Sequence, residues 1–241
     1  MAKGRGKVPS KKASQADVGA FLEKVRLTPV GKKTGRPGQA GRLLFAMDAT
    51  ASRKPAWDMA AHIQGEMFRE TAALGGLEIQ LAYYRGFGEF KAGPWTTDEK
   101  VLLGQMTSVF CLAGQTDIER VLAHAINETR ARKIDALVFV GDCFEEDIDQ
   151  VGKTAGELGL MGVPAFMFHE GADPIAAFAF RQIAKLTNGA YCQFDANSAQ
   201  VLKDLLGAVA VYAAGGPSAL DDMARIRGGE VLKIAHQVKG G

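Results

Sequence analysis

The chain has 241 residues, 47% of them hydrophobic and 23% charged, with a mean hydropathy of -0.03, which is the composition of a globular protein with one sizeable core and tails. No apolar run approaches the roughly 20 residues that span a bilayer, and the basic N-terminus lacks the apolar stretch of a secretory signal. Cys111, Cys143 and Cys192 are odd in number and form neither a CxxC nor a zinc pattern, so small buried thiols in a reducing, cytoplasmic compartment are expected.

The net charge of +2 hides an asymmetry. Residues 1–41 carry ten Lys or Arg against Asp17 and Glu23, whereas the remainder carries 19 basic and 25 acidic residues. A basic arm is therefore attached to a mildly acidic body. The arm is rich in Lys, Gly, Pro and Ser and is expected to be largely disordered. A short helix over 14–27 is consistent with Val18, Phe21, Leu22 and Val25 sharing one face. Nucleic acid, an acidic partner, or solvent alone are the three fates open to such an arm.

The body alternates strand and helix signals. Leu43 to Met47 is an unbroken apolar run, the pattern of a strand buried on both faces. Pro55 opens a helix to about residue 73, with Ala56, Ala60, Ile63 and Met67 in a stripe, stopped by Gly75-Gly76. Residues 77–84 alternate apolar and polar, and 89–92 follow as a short antiparallel edge strand closed by Gly93-Pro94. A helix over 97–109 turns Val101, Leu102 and Met106 inward. Helix 117–132 places Ile118, Val121, Leu122, Ala125 and Ile126 at helical spacing. A second apolar run, 136–140, ends in Gly141-Asp142, and helix 146–160 and strand 163–168 come next. Asp173 caps a helix with Pro174 at its first position, ending at Asn188-Gly189. Strand 190–194 and helix 198–212 complete the unit before the break at 213–217. The tail from Ser218 has a capping-box pattern and an amphipathic Val231, Leu232, Ile234, Ala235. The expected fold class is three-layer α/β with a mostly parallel sheet.

Three segments near strand ends carry oxygen ligands. Asp48, Thr50 and Ser52 alternate just past the first strand, Thr116 precedes a helix, and Asp142 follows the second apolar run. Their hard oxygens suit Mg²⁺, Mn²⁺ or Ca²⁺. The competing explanation for Asp48 to Ser52 is helix capping before Pro55, which leaves Thr116 and Asp142 without a role.

This set resembles the metal-ion-dependent adhesion site (MIDAS) of von Willebrand factor type A (VWA) domains. That family's site reads D-x-S-x-S, then a threonine 60 to 70 residues on, then an aspartate after a hydrophobic strand. The matching residues are Asp48, Thr50, Ser52, Thr116 and Asp142, with Thr50 departing from the usual serine but keeping the hydroxyl. The resemblance covers about 42–214. It implies a Rossmann-like fold, with one short antiparallel edge strand and helices on both faces of the sheet. Residues 1–41 would then be the arm and 215–241 a C-terminal tail with a helix signal. It also implies a bound Mg²⁺, or Mn²⁺ or Ca²⁺, that docks a carboxylate of a partner protein. Intracellular members of the family often work beside AAA-type ATPases or in other multiprotein assemblies, which the resemblance implies as partners here.

No catalytic set accompanies these residues. His62, His124, His169 and His236 are scattered, and neither a phosphate-binding GxxxxGK[ST] nor a GxGxxG occurs after a strand. The enzymatic alternative is Mg²⁺-dependent phosphoryl transfer on Asp48, which calls for a second carboxylate where Thr50 stands. Arg53 and Lys54 are expected to be solvated charges at a helix start or partners for an incoming acid. Glu145, Glu146, Asp147 and Asp149 are expected to favour the N-terminus of the helix they begin.

Overall fold

Strand β1 (Gly41–Asp48) is buried at every position. Its period of two sends Leu43, Phe45 and Met47 into one apolar layer and Leu44 and Ala46 into the other. Burying such side chains contributes about 1.5–3 kcal/mol each, so this strand anchors both layers at once. The computed structural model describes residues 19–20, 23–24, 40–71, 76–195 and 199–226. The helix expected over 14–27 and the amphipathic stretch at 231–235 lie outside the described residues, or nearly so.

After a 3-10 turn (Ala51–Arg53), the chain runs through α1 (Lys54–Thr71), β2 (Leu77–Arg85), β3 (Glu89–Ala92) and α2 (Glu99–Thr107). It continues with α3 (Ile118–Ala131), β4 (Ala136–Gly141), α4 (Ile148–Leu160), β5 (Ala165–Glu170), α5 (Pro174–Leu186), β6 (Ala190–Phe194) and α6 (Ala199–Ile226). The sheet has the order β3-β2-β1-β4-β5-β6. All neighbours pair parallel except β2 and β3. Helices α1, α2 and α6 cover one face, and α3, α4 and α5 the other.

The expected cap holds: Asp173 accepts the Ala176 N–H at the start of α5, and Asp98 and Asp147 cap α2 and α4 in the same way. Other expectations change. In α2, Leu102 and Met106 are buried but Val101 is exposed, because Val109 just beyond the helix completes the inward face. Strand β2 is not half-solvated. Gln80 is buried, donating to the Gly93 carbonyl at 3.0 Å and facing the His124 ring at 2.9 Å. Trp57, absent from the expected stripe of α1, is an anchor of the core and donates its indole N–H to the Met106 carbonyl at 2.8 Å. The helical run α6 is interrupted inside the expected break at 213–217: Gly216 has non-helical angles, with a φ of 76° that only glycine adopts readily, and a second helical stretch follows it. The first stretch packs so closely on the start of β1 that a Cβ at Gly41 would sit 2.4 Å from the Ala213 carbonyl oxygen.

The order of strands positions the site. The chain leaves β1 toward β2 on one side and later returns to β4 on the other. A crevice opens at the C-terminal ends of β1 and β4, the place where such sheets bind ligands. Asp48 ends β1 and Asp142 follows β4.

Candidate metal centre

Asp48 is fully buried at the end of β1. Its Oδ1 accepts the Thr50 N–H at 2.7 Å, turning the chain out of the sheet. Its Oδ2 has no hydrogen-bond partner. Burial pushes its pKa up to about 6, with Asp142 adding to the rise and the Thr50 bonds opposing it. Thr50 is in extended backbone and makes no side-chain cap, so helix capping does not account for the motif.

Ser52 stands on the 3-10 turn and donates to Asp142 Oδ2 at 2.8 Å, with the Thr50 hydroxyl 3.4 Å away. Asp142 Oδ1 is buried and, like Asp48 Oδ2, unpartnered. Asp48, Thr50, Ser52 and Asp142 thus form one hydrogen-bonded set across the switch point. Thr116 is buried and joins it indirectly. Its Oγ1 accepts the Glu145 N–H at 3.0 Å, and its own N–H faces Glu145 Oε2 at 3.4 Å.

The acidic run after Asp142 divides in two. Asp147 caps α4, accepting from the Asp149 and Gln150 N–H groups as expected. Glu145 and Glu146 do not serve that helix. Glu146 accepts the Ile118 and Glu119 N–H groups at 2.7 and 2.8 Å, closing the N-terminus of α3, where Asp117 makes no side-chain cap. The loop after β4 therefore holds the Thr116 loop in place. Only the tertiary fold brings these loops together, and the sequence offered no sign of it beyond their closeness to Asp142. A further clamp is Gly114, where a Cβ would meet the Gly86 carbonyl oxygen at 1.9 Å.

Arg53 corrects another expectation. It is buried rather than solvated, because the 3-10 turn directs it inward to an ion pair with Glu170 at the end of β5. Its Nε and Nη2 have no partner. Lys54 points outward and pairs with Asp58 at 2.8 Å. His169, in register with Gly141, is buried between the Tyr191 hydroxyl at 2.9 Å and the Asp142 carbonyl at 3.3 Å. Burial lowers its pKa, and its place is that of a brace for the Asp142 loop.

Two further groups face the centre. The Tyr84 hydroxyl, on the residue paired with Asp48 in the sheet, is buried and unpartnered, with Asp48, Glu146, Cys143 and Asp142 as its charged surroundings. The Cys143 thiol lies beside the Asp142 and Asp48 carboxylates, and burial, with these charges adding to it, pushes its pKa up to about 12. One ligand atom from each of Asp48, Asp142 and Cys143 lies within 4.8 Å of the others. In the sequence, Cys143 reads only as a small buried residue, and its one signal is adjacency to Asp142.

Solved structures share this architecture. The VWA domain of SpRpn10 superposes with a TM-score of 0.54 at 13% identity, covering 69% of this chain and 94% of its own. The fold is that of a von Willebrand factor type A domain. The vWF domain of the type V pili tip protein Mfa5 from Porphyromonas gingivalis gives 0.57 at 10% identity, covering 73% of this chain and 96% of its own. Proximal thread matrix protein 1 from the mussel byssus, with a zinc-occupied MIDAS motif, gives 0.57 at 12%, covering 71% of this chain and 46% of its own. No family model matches the chain, and no curated relative does.

The residues gathered at this end of the sheet fit a divalent cation. Two carboxylates with ligand atoms this close repel each other when ionised, and each keeps one buried oxygen without a donor. Leaving such acceptors unsatisfied costs about 1–3 kcal/mol each, more when charged. A cation held by Asp48, Asp142 and the nearby hydroxyls relieves both penalties.

Proposed function

We propose that this VWA domain is a divalent-cation-dependent protein-binding module. Asp48, Thr50, Ser52, Thr116 and Asp142 hold the ion, directly or through water, and a partner protein completes its coordination with a carboxylate. The observation that carries this reading is the pair of buried, unpartnered oxygens, Asp48 Oδ2 and Asp142 Oδ1, at the switch point of the sheet. The oxygen set by itself favours Mg²⁺, with Mn²⁺ or Ca²⁺ as substitutes. Neutral hydroxyl ligands leave the ion residual positive charge with which to attract an acidic group.

The surroundings support a protein as the partner. Phe87 is 84% exposed and Phe110 71% exposed. Phe87 lies in the turn after β2, and Phe110 in the loop after α2. The Leu112 N–H bonds the Ala49 carbonyl and the Gln115 N–H the Gly86 carbonyl, so both apolar loops are fastened beside the centre. An acidic side chain flanked by apolar residues suits this rim.

The role is binding rather than catalysis. Position 50 is Thr, so the D-x-D pair of aspartyl-phosphate chemistry is not present after β1, and the carboxylate that does stand beside Asp48, Asp142, is engaged by the Ser52 hydroxyl. The nearby His169 is closed off by its two partners. Work beside an AAA-type ATPase in the cytoplasm is the finer form of this proposal. It rests on the resemblance to intracellular VWA proteins, and the free Cys111, Cys143 and Cys192 accord with a reducing compartment. No described helix is long and apolar enough to cross a membrane.

The test is affinity capture on the full chain in Mg²⁺, in EDTA, and with Asp142→Ala. Partners retained in Mg²⁺ and released in both other conditions support the reading. Equal retention in all three contradicts it.

A further inference from the structure

The centre contains a donor that an oxygen-only site does not need. The Cys143 sulfur lies within 4.8 Å of a carboxylate oxygen of both Asp48 and Asp142, and the side chain belongs to neither apolar layer. Asp48 is fully buried, contributes a carboxylate oxygen to this group, and keeps its Oδ2 without a hydrogen-bond partner. Zinc takes thiolate at about 2.3 Å and carboxylate at about 2.0–2.2 Å, so three donors already this close need only a small contraction to share one ion.

We propose that Cys143 is a third protein ligand of the cation, and that its sulfur makes the centre prefer zinc or another thiophilic divalent ion over magnesium. This rests on the reading of the centre as a cation site and changes which cation it selects. A soft thiolate gains far more from Zn²⁺ or Co²⁺ than from Mg²⁺, which holds to oxygen and water. When the metal–sulfur bond forms, the thiol proton leaves to solvent, and the sulfur supplies the bonding pair without any change of oxidation state. The hydroxyls of Thr50 and Ser52, 3.4 Å apart beside Asp142, would hold the ion directly or through water, as in the oxygen-only reading.

The experiment is a Co²⁺ titration of the full, reduced chain, followed by near-ultraviolet absorbance and by calorimetry. Wild type and Cys111→Ser show a thiolate-to-cobalt charge-transfer band that saturates at one ion per chain and is displaced by Zn²⁺. Cys143→Ser still binds Co²⁺ but without the band. Its Zn²⁺ affinity falls roughly a hundredfold while its Mg²⁺ affinity changes by no more than about threefold. Wild type that binds Co²⁺ without the band overturns the cysteine ligand and leaves the cation site standing, as does a band that survives in Cys143→Ser. Wild type that binds no Co²⁺ overturns the two together.

Discussion

Strand β1 carries a buried charge at each end, and the two ends are treated in opposite ways. At its start, Arg42 is buried but fully engaged. It lies 3.8 Å from the centre of the Trp95 ring, donates from Nε to Glu78 at 3.0 Å, and has Glu128 at 3.9 Å. Its backbone N–H is taken by Asp135 at 2.8 Å. At its end, Asp48 has one oxygen satisfied and one left bare, with Asp142, Tyr84 and Arg53 also holding buried atoms that lack partners. A fold that pairs its buried charge so thoroughly at one edge of the sheet has the means to do so at the other. Gln105 on α2 and Thr129 on α3 also hold bare buried atoms, but the densest group lies at the C-terminal edge, where such sheets bind ligands. That accords with the proposed cation site, while the paired network at the N-terminal edge serves stability.

The largest effect that would sharpen this contrast is Arg42→Ala. It removes the buried guanidinium under Trp95 and one of two cations at Glu78, which keeps Arg132 at 2.9 Å, while Glu128 keeps the Trp95 indole N–H, so chemical denaturation should show a loss of about 3 kcal/mol. The loss should be the same with and without divalent cation, since nothing at that edge meets the ion.

Asp48→Asn should act in the reverse direction. Without metal, the variant is expected to be about 2 kcal/mol more stable than wild type at pH 8, because it removes a buried carboxylate that must otherwise ionise. The pH dependence follows from the sign of the shift. The folded pKa of about 6 lies above the unfolded value of about 4, so the favourable contribution is complete at low pH. It is lost as the pH rises through about 6. Metal-free wild type should lose ground to Asp48→Asn across that window, and denaturation curves at a series of pH values read it directly. Parallel curves for the two proteins would break the comparison.

A smaller effect is expected from Glu146→Ala. The change frees two N–H groups at the start of α3 and loosens the tie between the loops of Thr116 and Asp142, leaving the Glu145 N–H on Thr116 as the remaining bond, with an expected loss of about 1–2 kcal/mol. Unlike Arg42→Ala, it should also weaken cation binding measured by calorimetry. The smallest effect belongs to Lys54→Ala. Its exposed pair with Asp58 stands beside the motif but outside the centre, so melting temperature and metal response should both stay as in wild type.

Much of the fold could be read from the sequence because its signals are local. The apolar runs of β1 and β4, the helical spacing of α3 and the Asp173-Pro174 start of α5 each specify their element without outside help. Asp48, Thr50, Ser52, Thr116 and Asp142 were legible as candidates because their oxygens recur at strand ends in chain order. What was not legible depends on pairs distant in sequence. Arg53 turns inward only because Glu170, 117 residues later, ends a strand beside it. Glu146 caps a helix that begins 28 residues before it. Cys143 acquires its place from the approach of Asp48 across the β1–β4 crevice. In each case local chemistry suggested a solvated charge, a nearby cap or a buried thiol, and tertiary placement overrode it.

The account's central claim is that the C-terminal edge of the sheet is completed by a divalent cation. The most direct measurement is the shift in melting temperature of the full chain on adding Mn²⁺, compared among wild type, Asp48→Asn and Asp142→Asn. A rise of several degrees in wild type, absent in both variants, is the predicted result. No shift in wild type, or an equal shift in all three proteins, would contradict it.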